Sequence, residues 1–177
     1  AGCEIKGKKL GVIGLGAIGR LVVQAAEALG MDVIGYDPGL PADAAAQISP
    51  TLQVTEDLGE LYGVSDFITI HVPALPSTKG MIGAAALAAM KDGVAFLNFS
   101  RDTLVDDEAM AQALEQGKVA CYVTDFANPA VMAMKNALVI PHLGASTAEA
   151  EDNCAKMAVA EVMDYLKTGT KTHCVNL

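Results

Sequence analysis

The sequence contains no tryptophan, and phenylalanine and tyrosine bring its aromatic share to only 5 %. Its core must therefore be filled by smaller side chains. The 52 % hydrophobic content is mostly Ala, Val, Leu, Ile and Met, which suits parallel strands under alanine-rich helices. Basic residues are also scarce, with 12 Lys and Arg against 21 Asp and Glu and a formal net charge of −9. Nucleic acids and anionic membranes both demand a basic face, so neither is an expected partner. The four cysteines, Cys3, Cys121, Cys154 and Cys174, form no CxxC pair and have no histidine at metal-ligand spacing. Reduced thiols are expected, with no disulfide framework and no metal. No apolar run approaches a membrane span and the first residues show no basic-then-apolar leader, so a cytoplasmic location is expected.

The most telling stretch that is present is Leu10-Gly11-Val12-Ile13-Gly14-Leu15-Gly16-Ala17-Ile18-Gly19. A short apolar strand runs into GxGxxG and a helix opens at Ile18, the layout of a dinucleotide-binding turn. Gly14 permits the tight turn, Gly16 lets the backbone approach a pyrophosphate, and Gly19 lets the helix pack closely on the strand. After a helix over 18–29 closed by Gly30, a second strand, Asp32-Val33-Ile34-Gly35-Tyr36, ends in Asp37, 18 residues beyond Gly19. A carboxylate there can accept hydrogen bonds from the adenosine ribose hydroxyls. A plain turn aspartate before Pro38-Gly39 would account for Asp37 alone, but not for strand, glycine turn, helix, strand and acid in order. Asp37 would also repel a 2′-phosphate, and Pro38, Gly39 and Leu40 supply no cation to receive one. NAD is therefore expected over NADP.

At 177 residues the chain can bury roughly 70 % of its unfolded surface as one domain without staples. Strands and helices alternate with no internal repeat or linker, so the expected fold class is α/β: a doubly wound parallel sheet, Rossmann-like, in a single domain. A short helix over 42–48 and a short strand over 53–54 are followed by a helix over 56–61 capped by Thr55. Strands are expected over 66–70, 94–98, 119–124 and 138–140, with helices over 83–90 and 106–116. The last helix opens with a capping box, Ser146 with Glu149, and runs to about Lys167 before Gly169. Asp37, His71, Arg101, Asp125 and His142 then all follow carboxyl ends of parallel strands, the edge where open α/β sheets bind ligands. Singly, each has a structural explanation: a strand cap, a solvated loop charge, a satisfied core histidine. Five along one edge are not so easily explained.

Together, Gly14-Leu15-Gly16-Ala17-Ile18-Gly19, Tyr36-Asp37, His71-Val72-Pro73 with Thr78, Asn98-Phe99-Ser100-Arg101, Thr124-Asp125-Phe126 and Pro141-His142-Leu143-Gly144-Ala145-Ser146-Thr147 resemble the NAD-binding domain of the D-isomer-specific 2-hydroxyacid dehydrogenases. The stretch 144–155 and the ending Cys174-Val175-Asn176 are most similar to the branch of that family that oxidises 3-phosphoglycerate. The resemblance implies hydride transfer between a D-2-hydroxyacid and the nicotinamide of NAD. Arg101 would grip the substrate carboxylate with its planar fork, and His142 would be the general acid/base. Ala17 and Ile18 would lie at the pyrophosphate, Asp37 at the ribose and Asp125 near the nicotinamide amide. His71, Val72 and Pro73 would line the cofactor cleft, with Thr78, Phe99, Ser100 and Gly144 also at the cofactor.

Two positions depart from the family pattern. Asn128, before Pro129, stands where a glutamate usually pairs with the catalytic histidine; an amide can orient His142 but cannot stabilise its imidazolium by charge. Asp102 stands where glycine usually follows the arginine. The family's substrate domain is built from segments on either side of the cofactor domain, and here it is absent. Residues 1–177 are therefore expected to be a single NAD-binding domain, a fragment of a longer two-domain enzyme that is a homodimer acting on a small hydroxyacid. The alternatives are an NAD(H)-sensing module working through a protein partner, or a dehydrogenase of the glycerate, glyoxylate or lactate type. A methyltransferase would use the same glycine turn but leaves Arg101 and His142 unexplained.

Overall fold

A computed structural model describes residues 2–41 and 44–174. The chain divides into two compact units, Ala1–Pro141 and His142–Leu177. In the first, seven strands form one parallel sheet: β1 (Lys9–Ile13), β2 (Asp32–Tyr36), β3 (Gln53–Val54), β4 (Phe67–Ile70), β5 (Val94–Asn98), β6 (Val119–Thr124) and β7 (Ala137–Val139). Their order is β3-β2-β1-β4-β5-β6-β7, so the chain winds outward from β1 in one direction and then from β4 in the other. The winding direction puts helices on both faces. Helices α1 (Ala17–Ala28) and α2 (Ala45–Ile48) cover one face of the first strands, where Leu10, Val12, Val23, Ala26, Val33 and Ile48 form one core. Helices α3 (Leu58–Val64), α4 (Ala84–Ala89) and α5 (Asp107–Glu115) enclose the other, larger core, with Ile13, Ile70, Phe96, Met110 and Tyr122 buried in it. Alternation along β1 sends Leu10 and Val12 to the first core and Ile13 to the second, as period-two side chains must. The doubly wound parallel fold expected from the sequence is the one observed.

Several boundaries differ from the expectation. Helix α3 starts later than a Thr55 cap allows: Asp57 is the cap, accepting from the Gly59 amide at 2.8 Å. The Thr55 hydroxyl instead accepts from the Asp57 amide and donates to Glu60. Of the helix expected over 42–48, Ala45–Ile48 is helical, while Ala42 and Asp43 lie outside the described residues. A short helix unforeseen in the sequence, α6 (Pro129–Ala133), starts at Asn128.

In the second unit, α7 (Ala148–Thr168) is a 21-residue helix with no buried residue. Its cap is Thr147, whose hydroxyl accepts from the Ala150 amide at 3.1 Å, not Ser146. With Ala150 at the third helical position, the reciprocal carboxylate of a capping box is missing. Gly169, at φ 74°, ends the helix in the left-handed conformation that glycine tolerates.

Candidate functional site

The glycine turn has three different steric environments. Gly14 has φ 93°, and a Cβ there would lie 2.5 Å from the His71 carbonyl oxygen. A Cβ on Gly19 would lie 1.9 Å from the Gly14 carbonyl oxygen, so the first turn of α1 is pressed onto the end of β1. Around Gly16 nothing stands within 4 Å. That exposed backbone leaves open space of the kind a pyrophosphate would need. Gly16 also caps α1 without a side-chain hydrogen bond, and no acid occupies the first turn, so the helix's orphan amides and positive dipole end remain open to an anion. The helix starts at Ala17, one residue before the sequence suggested, and Ala17 and Ile18 are exposed there.

Asp37 directly follows β2 beside this turn. Its Oδ2 accepts the Leu15 amide at 2.8 Å and its Oδ1 the Gly39 amide at 2.9 Å. A carboxylate offers about four acceptor positions, so both oxygens keep capacity for ribose hydroxyls. Asp37 also lines a cavity of about 490 Å³ with Tyr36, Leu40, Val54, Thr55 and Glu56. A mixed lining whose described residues hold two acids and no base suits an uncharged adenosine.

Because the sheet is parallel, Asp37, His71 and Asp125, which follow β2, β4 and β6, share its carboxyl edge with the loop that carries Arg101 after β5. The structure ties much of that edge together. The His71 amide donates to the Ile13 carbonyl at 2.7 Å, and its Nε2 lies 3.0 Å from the Thr69 hydroxyl. Burial holds the His71 imidazole below its ordinary pKa of 6.5, since a low-dielectric site disfavours the cation. The Ser100 hydroxyl donates to the Val72 carbonyl at 3.0 Å. Thr78 stitches its own loop, donating to the Pro73 carbonyl at 2.7 Å and accepting from the Leu75 amide at 2.9 Å. Phe99 and Asp125 are half-buried.

Arg101 is exposed on an extended backbone, and its position depends on a residue the sequence marked only as a strand end. Asn98 is fully buried; its amide donates to the Arg101 carbonyl at 2.9 Å, and its Oδ1 accepts from the Ser100 amide at 3.1 Å. The Thr124 hydroxyl donates to the Asn98 carbonyl at 2.9 Å. The arginine loop is thus pinned to β6. Arg101 Nη1 turns to the Ser100 carbonyl at 2.6 Å, which leaves the remaining guanidinium N–H groups for a ligand.

The side chain of Asn128 serves the fold. Its Oδ1 accepts from the Val131 amide at 2.8 Å, capping α6, and its Nδ2 donates to Asp107 at 2.9 Å. His142 and Gly144 fall in the second unit, where both are exposed. One functional candidate went unnoticed in the sequence: Arg20, in the first turn of α1, whose Nε donates to the Gly16 carbonyl at 3.3 Å. A cation in a helix's first turn opposes the dipole, and that misfit was the available signal.

A doubly wound sheet with an open glycine cradle, an acid after β2 and a cavity on its carboxyl edge defines a dinucleotide-binding domain. The chain belongs to the D-isomer specific 2-hydroxyacid dehydrogenase family, whose NAD-binding domain matches residues 1–144. It is 37 % identical over 183 residues to D-3-phosphoglycerate dehydrogenase of Methanocaldococcus jannaschii, covering 99 % of this chain and 34 % of that protein. Against the enzyme of the same name from Haemophilus influenzae it is 37 % identical, covering 98 % of this chain and 44 % of the relative. The chain thus spans about a third to under half of the length of these relatives. Among solved structures, a glyoxylate reductase from Paecilomyes thermophila superposes with a TM-score of 0.85 at 31 % identity, covering 95 % of this chain and 52 % of that one. The NAD-complexed D-isomer specific 2-hydroxyacid dehydrogenase of Lactobacillus delbrueckii gives 0.85 at 26 % identity, covering 99 % and 58 %.

Proposed function

We propose that this chain is the cofactor domain of a longer NAD-dependent enzyme that oxidises 3-phosphoglycerate to 3-phosphohydroxypyruvate in serine biosynthesis. The observation that carries the hydroxyacid chemistry is Arg101, an exposed guanidinium held at the carboxyl edge by buried Asn98, on the same edge as the dinucleotide cradle. Its planar fork matches a carboxylate in two parallel hydrogen bonds. The choice of phosphoglycerate draws on the 36–37 % identity to D-3-phosphoglycerate dehydrogenases across nearly all of this chain. The bound NAD supplies a hydride acceptor. Arg101 would hold the substrate carboxylate, and His142 would take the hydroxyl proton as general base.

The substrate's other wall belongs to a second domain, so the isolated chain binds NAD but turns over little hydroxyacid. A misplacement of about 1 Å costs on the order of a hundredfold. The working enzyme is a cytoplasmic homodimer; the exposed Met157, Val162, Tyr165 and Leu166 of α7 offer apolar surface to an assembly. Steady-state assays of the whole enzyme with 3-phosphoglycerate, glycerate, lactate and glyoxylate or its reduced form test the proposal. A kcat/KM for 3-phosphoglycerate well above the others is expected, and a preference for a non-phosphorylated acid would replace it.

A second reading, an NAD(H)-sensing module, draws on Asn128, whose amide serves α6 and Asp107 instead of supplying a carboxylate for His142. An enzyme loses turnover on Arg101→Ala and His142→Ala with NAD affinity kept, whereas a sensor has no turnover to lose.

A further inference from the structure

The cavity beside β2 carries two acids. Asp37 stands at the end of β2 and Glu56 just beyond β3, and both line the same space of about 490 Å³. Their situations differ. The Asp37 carboxylate binds the Leu15 and Gly39 amides, so part of its charge is spent on backbone donors. Glu56 is exposed, and among the described residues it has no hydrogen-bond or ion-pair partner. None of the nine described residues lining the cavity is basic. An uncharged ribose with an adenine suits that lining; a 2′-phosphate, with a charge of about −1.5 to −2 at neutral pH, does not.

We infer that Glu56 is a second specificity residue for the cofactor, excluding a 2′-phosphate together with Asp37. This rests on the cavity's taking the adenosine half of NAD. The division of labour follows from the hydrogen bonds. Replacing Asp37 removes a charge but also releases the Leu15 amide of the glycine turn and the Gly39 amide of its own loop, so NADP gains nothing that the loosened cradle does not take away. Glu56 holds no backbone group, and its charge acts on the ligand alone. At the mouth of the cavity that repulsion passes partly through water, so it fades once salt shortens the screening length from about 10 Å at 0.1 M to about 3 Å at 1 M.

The test is calorimetric titration of the chain with NAD and with NADP, for the unmutated protein, Glu56→Gln and Glu115→Gln. Glu115→Gln removes an equal charge from the exposed end of α5. In low salt, Glu56→Gln is expected to bring the NADP-to-NAD ratio of dissociation constants down roughly tenfold, with the change shrinking at 1 M salt and absent in Glu115→Gln. A ratio unmoved by Glu56→Gln, or moved as far by Glu115→Gln, would overturn the inference while leaving NAD binding intact. An unmutated chain that binds neither dinucleotide would instead overturn the cofactor reading of the cavity, and this inference with it.

Discussion

The Asp37 carboxylate accepts the Leu15 amide at 2.8 Å, so the residue just after β2 holds the glycine turn that follows β1. Its role is double, because the oxygens that would meet the ribose also fix the cradle for the pyrophosphate. Asp37→Ala is therefore expected to weaken NAD tenfold or more and also to lower stability. Hydrogen bonds to a charged group contribute about 1.5–3 kcal/mol, and the half-buried site places the loss at the lower end. Calorimetry and urea denaturation of the same variant measure the two effects. Full stability with weakened binding would show that the turn stands without its carboxylate.

Gly16 and Gly19 separate the cofactor's demands from those of the fold. Gly19→Ala drives a methyl into the Gly14 carbonyl oxygen, a contact of 1.9 Å with backbone that has nowhere to go. A loss of at least about 1–3 kcal/mol is expected, as for overpacked cores. Gly16→Ala meets nothing within 4 Å and keeps a negative φ of −68°. It should cost about 0.5–1 kcal/mol, alanine being a poorer helix cap than glycine, yet abolish measurable NAD binding. Thermal melts paired with NAD titrations distinguish the two; equal destabilisation by both would contradict the assigned roles.

The strands were legible because each is a short apolar run with a turn residue behind it, and the parallel order followed from the helices between them. Ends governed by neighbouring polar residues were not. Thr55 and Asp57 can both cap a helix, and only the backbone path selects Asp57 for α3; likewise Thr147 prevails over the adjacent Ser146 at α7. Helix α6 has five residues, too few for a periodic pattern, and its cap, Asn128, was interpreted through the position of a catalytic acid. Asn98 hid as the last residue of a buried strand, since nothing local reveals that a side chain will hold a loop carbonyl three residues on. Legibility was highest where geometry is repetitive and lowest where one side chain arbitrates.

Acid titration should reveal His71. Its pKa is lowered from 6.5 by burial, so the unfolded chain binds its proton before the folded one does. Above about pH 6.5 both states are neutral and the group costs nothing; as pH falls towards the folded value, stability is lost. His71→Gln should remove that decline. Asp66 acts in a separate window, because its pKa is lowered from 3.8 by the Lys9 amide and by Lys91. Its stabilisation is present above about 3.8 and disappears as pH falls through the folded value. Denaturation midpoints between pH 8 and 3 should show two declines, of which His71→Gln keeps only the more acidic.

A carboxylate at position 128 should sit badly beside Asp107. The Asn128 amide faces the Asp107 carboxylate at 2.9 Å while its oxygen caps α6. Asn128→Asp keeps an acceptor for the Val131 amide but replaces the donor to Asp107 with a second negative charge. Two carboxylates so close raise each other's pKa, and a raised acid loses stability as pH rises through its folded value. The variant is therefore expected to be less stable than the unmutated chain at pH 8 and to recover part of that difference near pH 5. Asn128→Ala, which loses the cap as well as the donor, should cost about 0.5–2 kcal/mol with little dependence on pH. Denaturation of both variants at the two pH values checks the contrast. If Asn128→Asp instead matched the unmutated chain at pH 8, the Asp107 contact would have no energetic weight.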